Sequence, residues 1–157
     1  MKVDIYIASD DAKPGRADRW IGYLIKAEEG KGYVIRADLL EATSYRAILI
    51  AMVAALDRFV RPADITFHLE REWVIGKLIR PVEDGKEKPS VLEGWQENGW
   101  KTKRKTTVEN KDDWQRLYNK LRVFEHSGAV FSYSKLGKDD PNRDRILFEI
   151  ERQRKEV

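Results

Sequence analysis

Four basic residues crowd into a short segment of this chain, and tryptophans flank them. We call residues 101–105 the basic loop; its cations are Lys101, Lys103, Arg104 and Lys105, and the nearby indoles belong to Trp95, Trp100 and Trp114. Cations neutralise phosphates and aromatic rings stack on bases, so the combination is typical of a surface that holds a nucleic-acid backbone. A solvated turn is the alternative, and one or two of the indoles must anchor the loop. We predict that the loop binds nucleic acid.

Any metal site in this chain would have to be built from carboxylates. The chain has no cysteine and only two histidines, His68 and His126. Disulfides and cysteine-ligated metals are therefore excluded, and zinc hydrolysis is disfavoured. A carboxylate site would favour hard cations such as magnesium or manganese.

Composition indicates one globular domain. The 157 residues are 41% hydrophobic and 36% charged, with 30 Lys+Arg against 27 Asp+Glu, which suffices for one substantial core. We expect a single domain over residues 1–157, with an exposed insertion near 80–90 and a basic protrusion near 99–111. No stretch reaches the roughly 20 apolar residues of a membrane span, and the N-terminus lacks the pattern of a signal peptide. A cytoplasmic protein without a membrane partner is expected.

Hydrophobic periodicity in the first half predicts an antiparallel meander, a helix and a further strand. Apolar residues alternate with more polar ones over 2–9, 20–27 and 33–39. Thr43 or Ser44 can cap a helix that is apolar over most of its circumference and stops near Pro62. Because such a helix is usually buried against a sheet, the strand at 64–69 should pair in parallel.

The second half is predicted to be mostly helical, with one more strand. The expected helices cover 72–78, 91–98, a stretch that begins at Asn110, Asp112 or Asp113, and 145–155. The expected strand lies near 130–133, between polar loops at 80–89 and 135–144.

Residues 92–117 resemble the type-one ribonuclease H family. In that family a helix ending in W-x-x-x-G-W-K-T leads into a basic loop, an asparagine and a D-x-W-x-x-L helix. The matching residues are Trp95, Gly99, Trp100, Lys101, Thr102, the basic loop through Lys105, Asn110, Asp112, Trp114 and Leu117. The predicted order of elements agrees with the family's fold. The resemblance implies a mixed α/β protein, with a five-stranded mixed sheet, three leading antiparallel strands and helices on both faces.

The resemblance also implies metal-dependent cleavage of RNA, but this chain lacks most of the carboxylates that would bind the metal ions. Family members cleave the RNA strand of an RNA–DNA hybrid with two magnesium ions held by four carboxylates. The matching positions carry Ala8, Ile48, Glu70 and, depending on a one-residue choice of register, Ile146 or Leu147. Apolar side chains there disfavour a hydrated dication. We therefore expect no catalytic residue, no resident metal and no cofactor, in an inactive protein that binds an RNA–DNA hybrid or DNA duplex.

A set of nucleic-acid-binding residues follows from the resemblance and the basic loop. Thr43 matches a family contact to a DNA phosphate, although a helix cap explains it as well. The expected set is Thr43, Trp95, Trp100, Lys101, Lys103, Arg104, Lys105, Asn110 and Trp114. Ser9, Tyr45 and Glu72 occupy the positions at which the family contacts the 2′-hydroxyl groups of RNA. The resemblance therefore does not imply that this chain distinguishes RNA from DNA.

A divergent enzyme is the first alternative. It would be a metal-dependent ribonuclease that uses Asp10, Glu70 and a loop acid such as Asp144 or Asp139, with magnesium or manganese. A two-residue slip of the first strand would bring Asp10 onto the face of Ala8, but the apolar alternation of that strand argues against it.

A protein–protein adaptor is the second alternative. In it, the old substrate face, apolar around Ala8 and Ile48, would dock a protein partner. Under either inactive hypothesis, Glu70 is expected to pair with Arg46 or Arg71.

Overall fold

A computed structural model describes residues 1–10, 17–27 and 33–156. The strands are β1 Lys2–Ser9, β2 Ala17–Ala27, β3 Tyr33–Ala42, β4 Asp64–Leu69, β5 Val82–Glu83, β6 Lys86–Glu87 and β7 Phe131–Lys135. The helices are α1 Ser44–Leu56, α2 Glu72–Leu78, α3 Val91–Glu97, α4 Lys111–His126 and α5 Pro141–Lys155. Residues 11–16 and 28–32, which lie between the first three predicted strands, are outside the described residues.

The main sheet has five strands in the order β3-β2-β1-β4-β7. Strands β1, β2 and β3 pair antiparallel, whereas β4 pairs in parallel with both β1 and β7. Ile7 lies opposite Tyr23 on one side and Leu69 on the other, so β1 and β4 end together. The predicted meander, parallel strand and mixed α/β class are confirmed.

The two faces of the sheet carry separate apolar cores. Ile5 and Ile7 belong to the larger core, which α1 and α4 cover, whereas Tyr6 and Ala8 belong to a smaller core with Ile146 of α5. This division follows from the period of two in β1, because successive side chains point to opposite faces. Helices therefore lie on both faces, as predicted.

Helix α5 packs closely on β2. A Cβ atom at Gly22 would lie 2.7 Å from Cγ2 of Ile146 and 2.8 Å from the carbonyl oxygen of Arg36, so only glycine admits this approach. The helix begins at Pro141, whereas the sequence predicted a start at residue 145. Asp140 accepts a hydrogen bond from the backbone amide of Asn142 at 2.8 Å, and proline suits the first helical position. Because α5 begins earlier than predicted, its first turn reaches the ends of the strands.

The segment at 80–89 forms a small hairpin, although a loop was predicted. Strands β5 and β6 pair antiparallel around Asp84 and Gly85, whose φ angles are 52° and 74°. An Asp-Gly pair with two positive φ angles is a favoured two-residue hairpin turn. Residues 81–89 are exposed throughout.

Among the described residues, no helix combines the length and hydrophobicity needed to cross a membrane.

Candidate functional site

A cleft lies where β1 and β4 end, between the start of α1 and the β7–α5 connection. Its volume is about 430 Å³. We call it the strand-end cleft; its lining is Ser9, Asp10, Ser44, Ile48, Glu70, Arg71, Lys135, Leu136, Gly137, Lys138 and Arg143. Two of the positions matched by resemblance to the family's metal ligands, Ile48 and Glu70, belong to this lining.

Two of the four positions matched to the family's metal ligands, Ala8 and Ile48, are apolar and buried; so is Ile146, one of the two candidates for the last position, whereas the other, Leu147, is partly buried. Ala8 and Ile146 are both 0% exposed and belong to one apolar cluster with Leu136, which is 2% exposed. Ile48 is 5% exposed and belongs to the larger core. These side chains offer no oxygen ligand and leave little surface for hydrating water. A pair of divalent cations, which needs bridging carboxylates, does not fit this residue set.

Glu70, the remaining acid, is held by a cation and a backbone amide. Its Oε1 accepts a hydrogen bond from the amide of Ser9 at 2.8 Å, and its Oε2 accepts one from Nε of Arg143 at 2.8 Å. The sequence predicted a pairing with Arg46 or Arg71, and that choice of partner was wrong. Arg46 instead donates to Asp113 of α4 at 2.8 Å.

Of the acids of the enzyme alternative, Asp10 and Glu70 share the cleft, whereas Asp139 and Asp144 do not line it. Asp10 lines the cleft but pairs with Arg154 near the end of α5. Asp144 lies exposed in the first turn of α5 and is not part of the lining, and Asp139 is also exposed. Across the described ranges, no three histidine or acidic side chains form a group able to hold a metal ion.

The basic loop has a defined backbone. Thr102 and Thr106 are joined by two hydrogen bonds: the Thr102 amide donates to the Thr106 carbonyl at 2.8 Å, and the Thr106 amide donates to the side-chain Oγ1 of Thr102 at 3.3 Å. Lys101 pairs with Thr107 across a β-bridge, and its Nζ donates to Oγ1 of Thr107 at 3.1 Å.

The cations of this loop are exposed, and no acid among the described residues pairs with them. All four basic side chains predicted to bind, Lys101, Lys103, Arg104 and Lys105, are exposed. None of them forms an ion pair with a residue in the described ranges. Their charge is therefore available to an anionic ligand.

Two of the three tryptophans support the loop from inside. Trp114 is 0% and Trp100 4% exposed, so neither presents a ring to a ligand, contrary to their place in the expected binding set. Trp95 is half-buried, and its ring centroid lies 5.4 Å from that of Trp114 and 6.5 Å from that of Trp100. The prediction that one or two indoles anchor the loop describes this arrangement better.

Thr43 and Asn110 both stand at helix starts. Oγ1 of Thr43 accepts from the amide of Arg46 at 3.3 Å, so Thr43 caps α1. Asn110 precedes α4 with a left-handed φ of 59° and makes no side-chain cap bond. Both are partly exposed. The structure thus assigns Thr43 its capping role and leaves a ligand contact at either residue as a prediction.

An exposed aromatic pair near α1 was missed in the sequence. Tyr45 and Trp73 are 36% and 43% exposed, and their rings stack at 4.8 Å between centroids. Nζ of Lys77 lies 4.8 Å from the ring of Trp73. The available signal was a tryptophan in the first turn of α2, three positions after the acid at Glu70. Such a pair suits stacking on a sugar or base.

Arg80, which follows α2, pairs with an acid of α3 and with an acid of α4. Its Nε donates to Oε1 of Glu93 at 2.7 Å, and Nη1 lies 2.9 Å from Oε2 of Glu125. Burial alone would raise the pKa of Glu93, but hydrogen bonds from Arg80 and from Ser90 outweigh it and lower that pKa. Burial also raises the pKa of the neighbouring Tyr133, which stays neutral. The Arg80 cluster therefore fixes α3 and α4, which carry the basic loop between them.

Comparison with known proteins decides the family. A ribonuclease H of Janthinobacterium sp. (strain Marseille) is 33% identical over 118 residues, which cover 74% of this chain and 72% of the relative. The chain belongs to the ribonuclease H family. A second ribonuclease H, from Cereibacter sphaeroides, is 30% identical over 120 residues, or 73% of this chain and 72% of the relative. No family model matches the chain.

Solved structures show that this ribonuclease H family member has the family fold. RNase H1 from Halobacterium salinarum matches 95% of this chain and 99% of its own, with a TM-score of 0.53 and 17% identity. LC11-RNase H1, solved in complex with an RNA/DNA hybrid, matches 96% and 98%, with a TM-score of 0.60 and 12% identity. At these identities the likeness concerns the fold.

Proposed function

We propose that this chain binds a nucleic-acid duplex, an RNA–DNA hybrid or DNA, through the basic loop and does not cleave it. The observation that carries the proposal is the exposed, unpaired charge of Lys101, Lys103, Arg104 and Lys105 on a hydrogen-bonded loop. Release of counterions from phosphates by such cations supplies most of the affinity of sequence-independent binding.

Two further observations support a duplex as the ligand. One structural neighbour was solved with an RNA/DNA hybrid, and the foamy viral protease-reverse transcriptase was solved with such a hybrid and with double-stranded DNA. The exposed Tyr45–Trp73 pair adds an aromatic surface at the start of α1, where Arg46 reaches the N-terminus of α4. Charge and stacking together suit a sugar–phosphate backbone.

The proposed lack of cleavage rests on the strand-end cleft. Catalysis by two metals needs acids that hold both ions about 3.5–4 Å apart. Ala8, Ile48 and Ile146 offer none, and Glu70 is already paired with Arg143. The duplex would therefore be held without the metal-bound groups that attack its phosphate.

The binding proposal is tested by salt dependence. We expect the affinity for a labelled hybrid to fall linearly with salt on logarithmic axes, and the double substitution Lys103→Ala with Arg104→Ala to reduce the slope by about two. Fluorescence anisotropy across a salt series measures both quantities. The matched control is Arg58→Ala with Arg61→Ala, which removes the same charge from exposed positions after α1, near the start of β4. Equal slopes for the two variants, or no binding at low salt, would refute the proposal.

A divergent ribonuclease is the second candidate. It is favoured by one observation, namely that Asp10 and Glu70 line the same cleft. It predicts cleavage of a hybrid with magnesium or manganese that disappears in Glu70→Gln.

The adaptor hypothesis required an exposed apolar patch around Ala8 and Ile48, and both side chains are buried. That burial weakens the adaptor hypothesis.

A further inference from the structure

The strand-end cleft carries an excess of positive charge. Two carboxylates line it, those of Asp10 and Glu70. Four cations line it as well: Arg71, Lys135, Lys138 and Arg143. Asp10 is also paired with Arg154, which lies outside the lining. The cleft, at the place matched to the family's metal-binding acids, therefore attracts anions.

Glu70 organises this charge and does not cancel it. The carboxylate engages Nε of Arg143 and leaves the two terminal nitrogens of that guanidinium without a hydrogen bond to any described residue. Nζ of Lys135 is fixed at 2.6 Å from the backbone carbonyl oxygen of Glu70. Holding cationic donors in place before the ligand arrives lowers the entropy cost of binding.

The cleft and the basic loop are connected through the first turns of α1. Ser44 and Ile48 line the strand-end cleft. Between them, Arg46 faces a second depression that it shares with Thr107 and Asn110, directly after the basic loop. One extended polyanion can therefore contact both regions, which favours a nucleic-acid backbone over a small separate ligand.

We propose that Arg71, Lys135, Lys138 and Arg143 form a phosphate-binding site in the strand-end cleft, where they hold a backbone phosphate of the bound duplex in place of metal ions. The site deepens the proposed function and depends on it. A phosphate in the cleft contacts guanidinium and ammonium donors, which suit its oxygens. It meets no metal-activated water there, because the described residues hold no group of acids or histidines that could bind a metal ion.

The test compares hybrid binding by four proteins: the wild type, a cleft variant, the basic-loop variant and the control described above. The cleft variant is Arg71→Ala with Lys138→Ala, because both side chains are exposed and form no hydrogen bond or ion pair with a described residue. We expect the cleft variant to bind the hybrid about tenfold more weakly at low salt. The slope of its log affinity against log salt concentration should be smaller by about two, and its thermal unfolding should be unchanged.

The outcomes separate this inference from the proposed function. If the cleft variant binds as the wild type does while the basic-loop variant is weakened, the phosphate site is refuted and duplex binding stands. If the wild type does not bind at low salt, both fail. Hybrid binding should also be equal in magnesium and in EDTA at matched ionic strength, and tightening by magnesium would refute the site.

A second arm distinguishes backbone phosphate from free phosphate. Inorganic phosphate is titrated into ¹⁵N-labelled protein while the backbone amide of Gly137 and Nε of Arg143 are observed by NMR. We expect phosphate to shift these signals weakly and saturably. The hybrid duplex should shift the same signals and should displace the bound phosphate. If phosphate saturates the cleft but the duplex leaves these signals unmoved, free phosphate is the ligand and the proposal is wrong.

Discussion

Ala8 is fully buried in the smaller apolar core, at the position where the family's first strand carries a metal-binding aspartate. Restoring that acid would place a charge in a cluster with Leu136, Ile146 and Ile150, none of which can hydrogen-bond it. We expect Ala8→Asp to lower the free energy of unfolding by about 3 kcal/mol or more. Urea denaturation measures the loss.

The control for this substitution is Val60→Asp, because Val60 is 97% exposed and a new charge there should change stability by less than about 0.5 kcal/mol. An Ala8→Asp variant as stable as Val60→Asp would mean that the cleft still tolerates a carboxylate. That result would remove the packing argument against a metal site.

At the residue scale, the sequence predicted which residue types occupy the candidate site better than it predicted which residues they contact. The apolar residues at positions 8 and 48 could be identified from the resemblance to the family, and the exposure of Lys103 and Arg104 from the basic motif. The Glu70–Arg143 pair could not, because it joins residues 73 positions apart and depends on where α5 begins. The buried state of Trp114 was equally hidden, since an indole beside cations suits either a core or a ligand.

The Arg80 cluster acts at the scale of elements, because it ties the end of α2 to α3 and α4. We expect Arg80→Met, which keeps much of the side-chain volume, to lower the free energy of unfolding by about 1–3 kcal/mol at neutral pH, since it leaves Glu93 and Glu125 without their cation. Thermal or urea unfolding checks this, with Arg61→Met as the exposed control.

The difference between wild type and Arg80→Met should depend on pH. The pKa of Glu93 is lowered below its ordinary value of 4.5 in the folded protein, so its ionised form stabilises the fold above that value. The stabilisation is lost as the pH falls through the lowered pKa. The stability gap should therefore narrow below about pH 4, and a gap that is constant from pH 7 to pH 3 would contradict this account.

Elements with strong local signals were predicted well, and those set by turn geometry were not. Strands β1 and β4 and helix α2 have the predicted bounds. The β5–β6 hairpin was missed because its strands are too short to show alternation, although Asp84-Gly85 is a turn signal. The start of α5 was placed late because the polar run before Arg145 hid Asp140 as a cap.

At the scale of the whole molecule, the fold is that of a ribonuclease H, while its charge distribution differs from that of a metal-dependent nuclease. The cleft that would hold two cations is lined by four cationic and two acidic side chains. The basic loop keeps its exposed charge, and the chain directly after it shares a depression with Arg46 in the first turn of α1. This arrangement supports the proposal that the chain holds a duplex without hydrolysing it.

The most direct measurement is a combined binding and cleavage assay on one labelled RNA–DNA hybrid, with magnesium or manganese present and the protein in excess over the hybrid. Our account predicts that the hybrid is bound, by anisotropy, and that its RNA strand remains intact on a denaturing gel, as it does with Glu70→Gln. Metal-dependent cleavage by the wild type that is lost in Glu70→Gln would contradict the account.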